Sequence, residues 1–171
     1  ILFLPRRFCR WKPMTRTGIG YDVHRLAEGE SLILGGVTVP SEKGSAGHSD
    51  GDVVTHAIVD ALLGAASCGD IGTHFPSEDE QWKGASSLQF LSHAVQVIRD
   101  AGFEISNVDA TVILETPRLS GYLEEMRNLL AAEMGVEPNA VSVKATTTDG
   151  LGFTGRGDGV GAMAIATVTT T

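Results

Sequence analysis

"DVVTHAIVDALLGAAS", residues 52–67, is the stretch on which the fold turns. Val53, Ala57, Ala61 and Gly64 recur at helical spacing, and Val54, Ile58 and Leu62 widen the apolar stripe, so the segment reads as a buried helix. Ser49 and Asp50 are candidate caps ahead of it. Working outward, "TGIGYDVHRL" (17–26) reads as a strand and "LILGGVTVP" (32–40) as a second strand closing near Pro40. On the other side, "CGDIGTHFPSEDEQWKG" (68–84) reads as a loop, and "SSLQFLSHAVQVIRDAG" (86–102) as a helix stopped by Gly102. "NVDATVILE" (107–115) has the character of a buried strand, and "LSGYLEEMRNLLAAEMG" (119–135) that of a helix ended by Gly135. "AVSVKATTT" (140–148) and "VGAMAIATVTT" (160–170) are the last strands, with a glycine-rich loop between them. The order β-β-α-α-β-α-β-β predicts an α+β domain: one mixed β-sheet with helices packed on one face.

The chain has 171 residues, 42% of them apolar, which suits one domain with a real core. No apolar run approaches the roughly 20 residues of a membrane span. Cys9 and Cys68 form no CxxC pair, which argues against a thiolate zinc site and fits a reducing compartment. The net charge of −8 is unevenly spread. Residues 1–13 hold four basic and no acidic residues, which leaves 9 Lys+Arg against 21 Asp+Glu beyond them. Residues 1–13 read as a poorly ordered upstream extension before Met14, with the tail of a targeting peptide as the rival reading, and residues 14–171 as the single domain. So acidic a domain does not suit nucleic acid, which needs a basic surface. It still admits a small phosphorylated substrate, because bound cations reverse the local charge.

Three of the five histidines fall in "GYDVHRL" (20–26) and "HSDGDVVTH" (48–56), each beside aspartates. On a strand, residues i and i+2 share a face, so Asp22 and His24 project together with Val23 expected to be buried behind them. On the helix, Asp52, His56 and Asp60 form one polar stripe. If the stripe meets the strand, one carboxylate and two imidazoles converge, and three O/N ligands with an open fourth position suit a catalytic zinc. Spacing alone favours ordinary surface or core polar residues over a metal site. His74 and His93 have no acidic partner close in sequence and read as structural. The loop "KATTTDGLGFTGRGDG" (144–159) offers hydroxyls and backbone N–H groups to phosphate oxygens, but it is neither a P-loop nor a dinucleotide fingerprint.

These pieces coincide with one family. "GYDVH", "HSDGDVVTHAIVDALLGAASCGDIGTHFP", "WKGASS", "NVDATVILETP" and "VKATTTDGLGFTGRG" occur in collinear order from about Thr17 to Thr167. Together they closely resemble the 2-C-methyl-D-erythritol 2,4-cyclodiphosphate synthase family of non-mevalonate isoprenoid biosynthesis. The resemblance implies a small α+β subunit of a homotrimer whose active sites are shared between subunits. It implies cyclisation of 4-diphosphocytidyl-2-C-methyl-D-erythritol 2-phosphate to the 2,4-cyclodiphosphate with release of CMP. It implies zinc on Asp22, His24 and His56, one ion per site, and a second divalent cation, magnesium or manganese, on Asp149. His48 and Thr147 match the groups that stabilise the transferring phosphate, and Ser49 matches a phosphate contact. Asp70, Ile71 and Gly72 match the loop that holds the methylerythritol unit, and Asp22, Val23, His24, Phe75 and Asp79 are further expected substrate contacts. Pro117 and Arg118, within Leu114–Ser120, match the cytidine segment. Thr146 and Thr147 match further nucleotide and phosphate contacts, Thr148, Asp149 and Phe153 are further expected substrate contacts, and Arg156 matches an arginine aimed at the centre of the trimer and its phosphate contacts. The implied setting is a bacterial cytoplasm, with a plastid as the alternative, and neither nucleic acid nor membrane is an implied partner.

Two departures bear on the chemistry. The family often has glutamate where this chain has Asp149, whose side chain is one methylene, about 1.5 Å, shorter. After "FP" the family often has aspartate, and this chain has Ser77. Both reacting groups are phosphates, so the chemistry needs charge neutralisation and alignment more than a strong base. Two other readings stay open on the residues: a zinc hydrolase with Asp60 as its base, and a trimeric isoprenoid-binding scaffold with a structural metal.

Overall fold

The computed structural model describes residues 13–47, 49–76, 79–82 and 84–171. The expected extension therefore lies, except for Pro13, outside the described residues, as do His48 and Ser77. Five strands form one mixed sheet: β1 (Thr15–Glu28), β4 (Lys43–Ala46), β5 (Phe103–Ile113), β6 (Val141–Thr146) and β7 (Gly159–Thr170), in the order β4-β1-β7-β5-β6. β5 and β6 run parallel and every other pair is antiparallel. Three long helices, α1 (Val53–Ala66), α3 (Ser87–Asp100) and α4 (Leu123–Met134), pack on one face of the sheet, as the element order predicts.

The N-terminal strands differ from the expected pair. "LILGGVTVP" is not one strand but a hairpin, β2 (Leu32–Leu34) and β3 (Val37–Val39), in a small sheet of its own. Its turn residues Gly35 and Gly36 have φ of 56° and 79°, which two-residue hairpins require of both central positions. β4 follows, and the expected loop 68–84 contains a short helix α2 (Ile71–His74) and a 3₁₀ turn at Glu80–Trp82. The loop between the last strands contains α5 (Gly152–Gly155).

α1 is buried on nearly every side, between the sheet, α3 and the hairpin. Its close seat on the sheet needs glycine on β1. A Cβ on Gly18 would stand 2.1 Å from the Ala61 carbonyl oxygen, and one on Gly20 1.9 Å from that of Ala57. Asp52, not Ser49 or Asp50, caps α1, accepting from the backbone N–H groups of Val54 and Thr55. Its carboxylate is fully buried and also accepts from Gly35 N (2.8 Å), Gly36 N (2.7 Å) and Thr55 Oγ1 (2.6 Å). One side chain thus ties the hairpin turn to the helix start. Burial pushes the Asp52 carboxyl up, and its five donors oppose the rise.

Among the described residues no helix lies on the opposite face of the sheet. Ile19, Tyr21 and Val23 of β1 and Met163 and Ile165 of β7 are exposed there. Register places Ile19 beside Ile165 and Tyr21 beside Met163, so the patch is continuous. Val23, expected to be buried, is 38% exposed for this reason: it alternates away from Asp22 and His24 onto the open face.

Candidate metal centre and the cavities around it

Period-2 alternation on β1 sends Gly18, Gly20, Asp22 and His24 toward α1. The two glycines admit the helix, and the two polar side chains then meet its first turn at His56. Asp22 Oδ2 lies 2.8 Å from His24 Nε2 and 2.9 Å from His56 Nδ1, and the two ring nitrogens are 3.2 Å apart. Ligands about 2.0–2.1 Å from a tetrahedral ion stand about 3.3 Å from one another, so the trio fits one small divalent cation after slight expansion. Among the described residues it is the one group of three or more such side chains placed to hold a metal.

The trio is held firmly. His24 Nδ1 faces the Ala46 carbonyl at 3.4 Å, which leaves Nε2 for the centre. The His56 ring stacks on Phe90, and Phe90 stacks in turn on Phe75 with ring centroids 4.3 Å apart. Burial alone would raise the Asp22 carboxyl, but hydrogen bonds and charge from His24 and His56 outweigh it and hold the group well below the usual carboxylate range. Burial opposes protonation of His24 as well, and the Asp22 carboxylate reverses that and raises its pKa.

The rest of the expected polar stripe on α1 separates. Asp52 turns inward as the cap, and Asp60 accepts from the Ile71 backbone N–H at 2.8 Å, fixing the start of α2. That bond occupies the candidate base of the hydrolase reading. His74 and His93 stay structural: His74 Nε2 donates to the Cys68 carbonyl at 2.8 Å, and the two rings meet edge to face.

Asp22, His24, Ser49, His56, Ile71, Gly72 and Phe75, all expected site residues, line one cavity of about 240 Å³. Trp82 and Phe90 complete its wall, and the sequence reading had not picked them. Their signal was faint: Phe90 lies one helical turn after Ser87, and Trp82 sits in an otherwise polar loop. Asp70 does not line this cavity; its carboxylate caps α2 through Thr73 N and Oγ1. Asp79 likewise turns to the Gln81 backbone N–H.

Pro117, Arg118, Thr146 and Thr147 line a second cavity of about 220 Å³ against β5 and β6. It shares no lining residue with the first, and β1 and β6 are three strand spacings apart, about 14 Å. Thr148 Oγ1 donates to the Leu151 carbonyl at 2.6 Å, and Asp149 sits in the left-handed region at φ 52° with Thr147 Oγ1 donating to its carboxylate. Val23, His24 and Phe153 border another groove, and Arg156 pairs with Asp158 at 2.9 Å beside Pro117. No single cavity therefore gathers all the expected residues.

Fold and site together define an α+β protein with an Asp-His-His cluster placed to hold a cation at the end of a helix-covered sheet. Residues 15–169 match the YgbB family, and the chain belongs to it. It is 58% identical over 153 residues to the bifunctional enzyme IspD/IspF of Novosphingobium aromaticivorans, covering 90% of this chain and 40% of that protein. It is 53% identical over 153 residues to the 2-C-methyl-D-erythritol 2,4-cyclodiphosphate synthase of Alkaliphilus oremlandii, covering 90% of this chain and 98% of that one. The structure of Plasmodium falciparum IspF in complex with CDP superposes with a TM-score of 0.80 at 32% identity, covering 92% of this chain and 97% of that one. The chain thus spans well under half of the bifunctional relatives and almost all of the single-activity ones.

Proposed function

We propose that this chain cyclises 4-diphosphocytidyl-2-C-methyl-D-erythritol 2-phosphate to 2-C-methyl-D-erythritol 2,4-cyclodiphosphate and releases CMP, a phosphorus–oxygen lyase reaction of isoprenoid biosynthesis. The observation that carries the reading is the Asp22-His24-His56 cluster at the head of the Ile71–Gly72 cavity, in a chain more than half identical to enzymes named for that reaction. A nucleotide pocket around Pro117 and Thr146 is supported by the neighbour's CDP complex.

Asp22, His24 and His56 would hold zinc, and Asp149 a magnesium or manganese ion. When bound, the two cations supply positive charge to a diphosphate that this acidic chain cannot otherwise neutralise. The chain's own residues do the rest. Ile71, Gly72 and Phe75 border the space for the methylerythritol part. The Thr147 hydroxyl, and His48 by its place in the motif, donate to phosphate oxygens whose charge grows in the transition state. Fixing both ends of the substrate in one cleft supplies the entropy of ring closure.

A homotrimer is part of the same proposal. The two cavities share no lining residue and lie on strands about 14 Å apart in one subunit, and the bare apolar face around Ile19, Tyr21, Met163 and Ile165 is suited to burial against another copy. No helix among the described residues is long and apolar enough to cross a membrane, and a reducing cytoplasm-like setting completes the proposal. The test is product analysis with the diphosphocytidyl substrate. A cyclic diphosphate with equimolar CMP supports the reading; a linear product indicates a hydrolase, and no turnover a scaffold.

A further inference from the structure

Asp50 and Ser87 have no place in the reaction as derived so far, yet they stand directly behind the cation centre. Ser87 is fully buried at the first turn of α3. Its Oγ lies 2.9 Å from His56 Nε2, the nitrogen that faces away from Asp22 and His24. The same Oγ donates to the Asp50 carboxylate, whose other oxygen accepts the Ser87 backbone N–H at 3.0 Å. The Asp50 backbone N–H in turn donates to the Ala85 carbonyl at 3.1 Å. Asp50 is thus anchored to the start of α3, and its Oδ1 also accepts the Asp52 backbone N–H at 3.3 Å without capping α1 itself.

Proton accounting assigns the direction of each bond. An ionised carboxylate only accepts, so the Ser87 hydroxyl proton goes to Asp50. The Ser87 oxygen is then left as an acceptor, and the group facing it is His56 Nε2. A ring nitrogen bonded to an acceptor carries the proton, and the other nitrogen, Nδ1, keeps its lone pair. Nδ1 is the atom that points at Asp22 and His24. Ser49 Oγ also lies 3.1 Å from Nε2, but it is the longer contact, and no carboxylate fixes its proton among the described residues.

We infer that Asp50 and Ser87 form a positioning relay that holds His56 as the Nε2–H tautomer and so presents Nδ1 to the cation. Histidine ligands commonly donate their second N–H to a carboxylate or carbonyl; here a serine is interposed. The arrangement also couples the metal centre to the start of α3, the helix that carries Phe90 onto the same ring. The inference rests on the metal reading given above.

The test is zinc affinity by chelator competition on the full chain, with the His56 ring N–H followed by ¹H–¹⁵N correlation in the zinc-loaded protein. Ser87→Ala removes the acceptor and is expected to weaken zinc about 10–100-fold, the usual effect of losing such a partner. Asp50→Asn keeps the shape but offers an amide N–H to Ser87, turning the hydroxyl proton toward His56; an equal or greater loss is expected. Ser86→Ala alters the neighbouring cap position, makes no contact with His56, and should leave affinity unchanged. The parent should show a slowly exchanging Nε2–H on His56 that disappears in Ser87→Ala, a signature that a purely structural role would not move. Variants that bind zinc as tightly as the parent, or an Nε2–H that stays protected in Ser87→Ala, would overturn the relay. A parent that binds no zinc would overturn the metal reading itself, so the two failures are distinct.

Discussion

The two ends of the sheet are built differently. At the β1–α1 end every polar group of the site is buried or half-buried and tied to a partner: Asp22 between two histidines, His24 to Ala46, His56 to Ser87 and Phe90. At the β6 end, Thr146, Thr147 and Asp149 are exposed, and most of their hydrogen bonds run within their own loop. A centre that holds a cation needs its ligands placed before the ion arrives, because each misplaced ligand costs ordering free energy on binding. Under the trimer proposal, a loop that wraps a nucleotide jointly with another subunit would have nothing to order it until that subunit is present. The rigid end is therefore tied together within one chain, and the open end would be completed by a second subunit under the same proposal.

The largest effect expected from breaking the rigid end is loss of activity. His24→Ala removes one of three ligands and should lower turnover by about 10³-fold or more, equivalent to several kcal/mol of charge stabilisation. Thr147→Ala should also be deficient. Mixing and reassembling the two inactive proteins should restore part of the activity if sites are shared across subunits, and none if each chain works alone.

Gly20→Ala attacks the same end through packing. Its Cβ would meet the Ala57 carbonyl oxygen, and both partners are backbone, so α1 must lift from β1. A loss of about 3 kcal/mol or more in denaturant unfolding is expected, with zinc affinity falling alongside. At the open end, Thr148→Val removes the hydroxyl bonds to Leu151 and Thr154 and should cost only about 1 kcal/mol. Equal losses would erase the contrast between the two ends.

Asp149 sharpens it. With zinc bound, Asp149→Ala should abolish the response of the rate to added magnesium, whereas Asp149→Glu should reach half-maximal rate at a lower magnesium concentration, about tenfold at most, because its longer side chain reaches the ion directly. An Asp149→Ala protein that titrates with magnesium like the parent would show the residue to be an ordinary turn carboxylate.

A further expected effect is one of pH. In the metal-free chain His24 is held more basic than an ordinary histidine by Asp22. A cation must displace that proton below the raised pKa, so apparent zinc affinity should fall about tenfold for each pH unit below it and level off above it. Asp22, held well below the usual range, stays ionised throughout and adds no slope near neutrality. A flat affinity profile between pH 5 and 7, as measured by competition titration, would remove His24 from the ligand set.

Much of this was legible in the residue order. Period 2 on "GYDVH" put Asp22 and His24 on one face, period 3.6 marked α1, and both hold in the fold. The motif run from about Thr17 to Thr167 was enough to indicate the family that the match over residues 15–169 establishes. What spacing could not decide was which of several equivalent polar residues does which task. Asp50 and Asp52 both precede a helix, and both look like caps. Only the packed structure buries Asp52 between a hairpin turn and α1, and turns Asp50 toward a helix distant in sequence. The stripe Asp52-His56-Asp60 dissolved for the same reason: each member met a different neighbour. Local periodicity is set by backbone geometry, and every chain with that sequence inherits it. The partner of a buried polar group is set by which elements stack, which depends on contacts between residues far apart in the chain. Hence the sequence by itself determined the shared face of Asp22 and His24, the helix α1 and the candidate ligand types, and the tertiary structure alone decided that Ser87 and Phe90 of α3 would stand with Asp50 behind His56.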